Sequence, residues 1–404
     1  MSLIRKPIAR QTGLFSIYST AAIVVVLSVI YLDLATYVNH IYSSIEPKYL
    51  YYALAVIVAP LLLLKFREFL LYLASPFSVW VLAEIIVHSY DLLNATEAST
   101  HLIIIRDQYF ILVLLFGFTA SIIRTESYEG IFRILAIIVP VCVIIDFSNP
   151  GVFYPIATEG SVLGRAAAMY INPTKAGEAI LITCLLAIPV TRLQYRMPLL
   201  LLAGAGAIVT FSRGPILVWM LFWLFLLIIR KLPKYSFVFP LGVFAVLPLL
   251  ISVFGSYIQE HQDLDDGSTN ILRRLDFFQT KSLADDSAQE RLSVLEASWR
   301  IFLENPIFGS GTGVTSFQSN VWPYRVGAHN QLVMIAAEQG MVGVVLWVWL
   351  LVILWRGHYF QDTRFQLAAA VGTFIMAFFN HNMFDTLYWL MTFALVSGRR
   401  QWKN

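Results

Sequence analysis

Apolar runs of bilayer-crossing length recur from residue 14 to residue 398, and only one interval between them, at residues 257–332, is long. A helix needs about 20 residues to cross a hydrocarbon core of roughly 30 Å. By that rule the sequence predicts twelve membrane helices, near 14–37, 49–64, 69–90, 108–123, 130–147, 176–190, 197–212, 215–230, 236–256, 333–355, 365–380 and 383–398. In lipid every backbone polar group must find its partner inside the element, which favours helices over open sheets. The expected fold class is therefore all-α and polytopic, a single integral membrane domain over residues 1–404 with one large outer loop. Composition excludes the soluble alternative. Charged residues make up 13% of the chain, against roughly 25% in a soluble domain, too few to face water on all sides.

Orientation follows from lysine and arginine, which accumulate on the cytoplasmic side of short loops. With the N-terminus inside, the inner segments hold 17 basic residues, from Arg5 to Lys403. The short outer segments hold five: Lys48, Arg106, Arg165, Lys175 and Arg213. Both termini are thus expected in the cytoplasm and the long loop outside. The apolar stretch after Arg5, Lys6 and Arg10 runs from Leu14 to about Tyr37. That exceeds the roughly 7–15 residues of a cleavable signal and reads as an uncleaved first span. Cys142 and Cys184 both fall in apolar segments, which argues against a disulfide, and two cysteines exclude a cysteine-built metal centre.

The chemistry is expected on the outer face, where a connection this long inside a tight bundle is usually functional. Within it, Ser287 and Glu290 fit a capping box, and Leu292, Leu295, Trp299 and Phe302 follow at helical spacing, predicting an amphipathic helix that ends before Pro306. Arg291 stands in the first turns of that helix, where a cation opposes the dipole. It is either a functional cation or a solvated partner of Glu290 or Glu296. Gly309, Gly311 and Gly313 lack the GxGxxG spacing and read as a turn. His329 opens the tenth span, where the positive end of a helix favours neutral imidazole, available as a base or serving as a cap. Arg213, at an outer junction between two spans, is costly there unless it pairs or lines a wet cavity; a snorkelling interface arginine is the bland alternative. Asp385, in the polar turn Asn380-His381-Asn382-Met-Phe-Asp385, either orients a base or an arginine or caps the hairpin. The acidic run from Asp263 fails as an EF-hand because Arg274 occupies the position of the bidentate glutamate. No HExxH and no Walker loop is present, so no metal or cofactor is expected.

Taken in order, Tyr170-Ile-Asn172-Pro173, Ser212-Arg213-Gly214, Arg291, Trp299, Asn305-Pro306, Gly309, Gly311, His329-Asn330, Glu338 and Gly340 resemble the O-antigen ligase and polymerase superfamily. The motifs cover residues 165–355. The resemblance implies a GT-C type glycosyltransferase of the bacterial inner membrane, inverting and metal-independent, with its site on the periplasmic side. The donor would be a glycan on undecaprenyl diphosphate. The acceptor would be lipid A-core in a ligase, the first choice here, or a carrier-linked repeat unit in a polymerase. Carried over, His329 would be the general base, and Arg213 and Arg291 would hold the diphosphate. Arg273 or Arg274 is an alternative second clamp, and Asp385, Asn330 and Lys175 would be supporting residues. Trp322 and Tyr324 would stack on sugar faces or anchor the interface. A secondary transporter is the rival from another class, resting on Glu84, His88, Asp146 and Glu178 within apolar segments. A nucleic-acid partner is not expected.

Overall fold

The computed structural model describes residues 13–95, 97–123, 125–155, 164–233, 286–318 and 325–398, with positions 158, 161, 162 and 236 between them. Its helices are α1 (Leu14–Tyr31), α2 (Leu34–Ile41), α3 (Pro47–Leu64), α4 (Phe66–Leu73), α5 (Pro76–Asp91), α6 (Glu97–Ile122), α7 (Thr125–Ser148), α8 (Pro173–Ala187), α9 (Leu193–Val209), α10 (Arg213–Ile228), α11 (Asp286–Glu304), α12 (Gln331–Arg356), α13 (Thr363–Met376) and α14 (Leu387–Ser397). A two-residue antiparallel ladder pairs β1 (Phe317–Gln318) with β2 (Arg325–Val326) ahead of α12.

Among the described residues six helices are long and apolar enough to span a bilayer: α1, α3, α6, α7, α8 with the turn that follows it, and α12. The pair α4 and α5, bent by 70°, makes a seventh. Three more, α9, α10 and α14, are apolar but shorter. The chain is a multi-pass membrane protein; the expected span at 236–256 lies outside the described residues except for Ser236.

Three expected boundaries change, each for a local reason. The run 14–37 breaks at Asp33, which takes φ 48° and accepts a hydrogen bond from the Thr36 hydroxyl at 2.7 Å. Aspartate tolerates that left-handed backbone better than most residues. The run 69–90 breaks at Ser75-Pro76, because the residue before proline is forced out of the helical region. Ser75 sits at ψ 151° and caps α5 instead. In the opposite sense α6 begins at Glu97 rather than near 108, so Arg106 is not an outer-loop residue but a buried one inside a 26-residue helix. Its charge is met within the bundle.

An aromatic core ties the turn before α14 to three helices. Phe384 lies between Trp80, Phe110 and Trp347, with ring centroids 5.6, 6.0 and 5.9 Å away. All four rings are at most 1% exposed, which pins the turn before α14 onto α5, α6 and α12. On α11 the packed face differs from the expected one. Val294 and Ser298 are buried, whereas Leu292 and Trp299 are half exposed. The helix lies on α12 by Val294 and Ser298 and leaves Leu292, Trp299 and Leu303 outward, with Leu295 and Phe302 part-buried. The capping pair Ser287 and Glu290 is only partly described: Ser287 lies in a stretch whose side chains fall outside the described residues.

Helix α12 is broken in its N-terminal half at Gly340, whose φ is 62°. A break strands backbone groups that the i→i−4 ladder would have paired. Here the loop after α11 takes them. Ser310 and Gly311 donate their N–H groups to the carbonyls of Ala337 and Glu338, both at 2.9 Å, and the N–H of Met341 reaches the Pro306 carbonyl at 2.8 Å. The two backbones touch so closely that a Cβ on Gly309 would lie 2.3 Å from the Glu338 carbonyl oxygen. Of the glycines expected to form a turn, Gly309 and Gly311 are therefore the contact that stabilises a broken membrane helix.

Candidate active site

The N-cap of α12 is Asn330, whose side-chain oxygen accepts from the N–H groups of Leu332 and Val333 at 3.0 and 3.1 Å. Asn330, expected as a supporting site residue, has its amide oxygen occupied with the helix end, as Asn side chains are at this position. His329 precedes the cap and has φ 47°, a backbone that costs a side-chain-bearing residue on the order of 1–2 kcal/mol. Such strain gathers at functional positions. The turn aims the imidazole at a second one: the rings of His329 and His381 meet edge-to-face, centroids 4.6 Å apart. Gly327 makes room for that partner, since a Cβ there would come within 2.5 Å of the His381 ring.

Both histidines are held neutral. Burial is the main cause for His329, followed by the neighbouring His381 and the Arg291 guanidinium, and together they push its pKa far below the ordinary imidazole value. The helix dipole offered by sequence reasoning is not needed. Burial likewise lowers His381, to about 4, against the pull of Asp385, with Arg106, Arg291 and Lys175 adding to the lowering. The same pairings show what converges here. Arg291, exposed on the first turns of α11, acts on both imidazoles, and Lys175, on the first turn of α8, acts on His381.

Asp385 takes the arginine-orienting role of its two expected ones. It grips Arg106, accepting from Nε at 2.5 Å and from Nη2 at 3.2 Å. The remaining Nη1 of Arg106 donates to Glu338 at 2.8 Å. Arg213 opens α10 beside this corner. Its cap residue Ser212 receives the Arg165 guanidinium at 2.6 Å, and a Cβ on Gly214 would lie 2.6 Å from that of Phe379, two residues before His381. Gly177 meets Pro215 just as closely, which brings the starts of α8 and α10 together. The structure thus gathers the neighbourhoods of Arg213, Lys175, Arg291, His329 and Asp385 at one end of the bundle. Arg273, Arg274, Trp322 and Tyr324 lie outside the described residues.

Sequence reasoning missed Arg106, Arg165 and His381. An arginine within an apolar run is itself the signal for Arg106, although Arg106-Asp107 reads locally as a break between spans. Among the described residues no group of three or more His, Cys, Asp or Glu could hold a metal ion.

A depressed imidazole has a consequence for stability. The unfolded chain binds a proton at His381 near pH 6.5 while the folded chain does so only near 4, so the folded state loses stability as pH falls across that interval. His329 adds a loss of the same sign. Melting of the detergent-solubilised protein is expected at a lower temperature at pH 5 than at pH 7, and a His329→Gln, His381→Gln double variant is expected to show a smaller difference. An equal difference in that variant would place the effect elsewhere.

Residues 198–348 match the O-antigen ligase family. That segment contains Arg213, Arg291, His329 and Glu338, whereas Arg106, His381 and Asp385 lie outside it. No curated protein and no solved structure matches the chain.

Proposed function

We propose, from the match of residues 198–348 to the O-antigen ligase family, that the chain transfers a glycan from undecaprenyl diphosphate to lipid A-core at the periplasmic face of the inner membrane. The observation that carries this reading is the neutral His329 at the outer end of α12, close enough to feel the Arg291 cation and backed by His381. In the reaction His329 takes the proton of an acceptor hydroxyl as that oxygen attacks the anomeric carbon. The bond from carbon to diphosphate breaks on the opposite side, so the configuration inverts. Charge then grows on the leaving diphosphate. Arg213 and Arg291 suit that task because a guanidinium keeps its charge and offers a planar pair of donors to phosphate oxygens. Fixed cations aimed at developing charge supply the stabilisation that a metal gives elsewhere. A GT-C type arrangement of the helices belongs to this reading.

Transfer to a second carrier-linked repeat unit, a polymerase reaction, uses the same groups and is the alternative within the family. The transporter alternative rests on four titratable residues in apolar segments, each of which has a partner inside the bundle. Gln339 donates to Glu84 at 3.0 Å and His88 meets Asp107 at 2.7 Å. Asp146 accepts the backbone N–H groups of Ala167 and Ala168, and Glu178 accepts from Tyr388 and Trp389.

A deletion strain tests the assignment. Long glycan accumulating on the carrier and missing from lipid A is the result expected of a ligase; single repeat units alone point to a polymerase, and normal polysaccharide removes both. For the clamp, Arg213→Ala is expected to reduce turnover by about 10²–10³-fold, the effect of deleting one preorganised charge donor. Arg213→Lys should recover only part of it, since an ammonium cannot bind bidentately. Full activity in the lysine variant would show that charge alone is needed there.

A further inference from the structure

Among the described residues Arg106 is the one buried arginine, 2% exposed in the middle of an apolar helix. Each of its three nitrogens donates to a carboxylate, two to Asp385 and one to Glu338. The remaining Glu338 oxygen accepts the Thr315 hydroxyl at 2.7 Å. All four carboxylate oxygens are thereby satisfied, and the four residues come from four segments: α6, the last turn of α12 before its break, the turn before α14, and the loop after Gly313. Buried ion pairs are weak contributors to net stability, because desolvation offsets much of the attraction, but removing one partner strands the others. What such a cluster does well is fix relative geometry. Here the fixed piece is the turn 380–386. Phe384 wedges it into the aromatic core, Asp385 ties it to Arg106, and its other end carries His381 against His329.

We propose that Arg106 is a positioning residue of the transfer site. Clamped between Glu338 and Asp385, it sets the 380–386 turn so that His381 stands edge-to-face on His329 and leaves that imidazole a single orientation from which to take the acceptor proton. Neither Arg106 nor Asp385 touches substrate in this scheme. The inference rests on the transferase reading of the site. The charged and titratable groups acting on the pair are His381 and Arg291 for His329, and Asp385, Arg106, Arg291 and Lys175 for His381.

The test uses the full-length protein in detergent, with two readouts. One is kcat and KM for glycan transfer. The other needs no glycan: the pH dependence of acylation of His329 and His381 by diethylpyrocarbonate, followed by peptide mapping. Arg106→Lys keeps the charge and loses the fork; it is expected to lower kcat at least 30-fold with KM within threefold. Arg106→Gln removes a cation while Asp385 stays, so the midpoint for His381 acylation should rise by at least one pH unit. If Arg106→Gln does not insert, Asp385→Asn carries the test, with at least a 10-fold loss in kcat and a lower His381 midpoint. Folded Arg106 variants with unshifted midpoints and kcat within threefold of wild type overturn the proposal and leave the transferase reading standing. A wild-type protein without transfer activity, whose His381 midpoint still moves in Arg106→Gln, overturns that reading and leaves the positioning role intact.

Discussion

Replacing His329 with asparagine is expected to lower glycan transfer by about 10²–10⁴-fold, the usual contribution of a positioned base, while the protein inserts and melts as wild type does. Asparagine is the informative choice because it tolerates the left-handed backbone at this position, φ 47°, better than alanine does. His329→Ala should lose activity equally, since both lack an imidazole. Turnover measured with purified carrier-linked glycan and a lipid acceptor decides the matter. Activity within threefold of wild type in the asparagine variant would remove His329 as the base. Because the imidazole is kept neutral by burial, the wild-type rate should also show no fall between pH 8 and 6. A sharp loss centred near 6.5 would mean that the base titrates as an ordinary exposed histidine.

The second large effect concerns folding. Gly309→Val should abolish correct assembly, because its Cβ would stand 2.3 Å from the Glu338 carbonyl oxygen and 2.5 Å from the Gln339 nitrogen, both backbone atoms. The loop would have to withdraw, leaving the carbonyls of Ala337 and Glu338 and the N–H of Met341 without partners. At about 1–3 kcal/mol for each unsatisfied group the loss reaches several kcal/mol. Gly311→Ala is the control. Its Cβ meets nothing within 4 Å, so only the strain of φ 94° applies, on the order of 1–2 kcal/mol. Protease resistance of the inserted protein and its melting temperature separate the two. Equal behaviour of both variants would mean that the contact with α12 is dispensable.

The membrane character was legible because lipid imposes one rule on every segment: apolar, helical and about 20 residues long. Where the rule fails, interior polar groups are the reason. Arg106-Asp107 looked like a boundary because the sequence does not display Glu338 and Asp385, which lie 232 and 279 residues away and neutralise the arginine. His381 was visible in its turn, but nothing local marks an imidazole that packs on another 52 positions earlier. The face of α11 was misjudged for a related reason. Periodicity names the apolar stripe, yet a helix lying on another beside a bilayer can turn small residues inward and leave Trp299 outside. By contrast Asn330, Asn172 and Pro215 announce helix starts through short-range chemistry, and those starts stand within three residues of expectation.

The loop that grips the broken end of α12 does so mainly through main-chain atoms of Pro306, Ile307, Ser310 and Gly311, with the Thr315 hydroxyl on Glu338 the side-chain addition. Its outward side chains, Ile307 and Phe308, are about 60% exposed and take no part in that grip. Sequence drift at those two positions leaves the helix break, and with it Glu338, untouched. The rim of the break can therefore change its side chains without losing the main-chain bonds that hold α12.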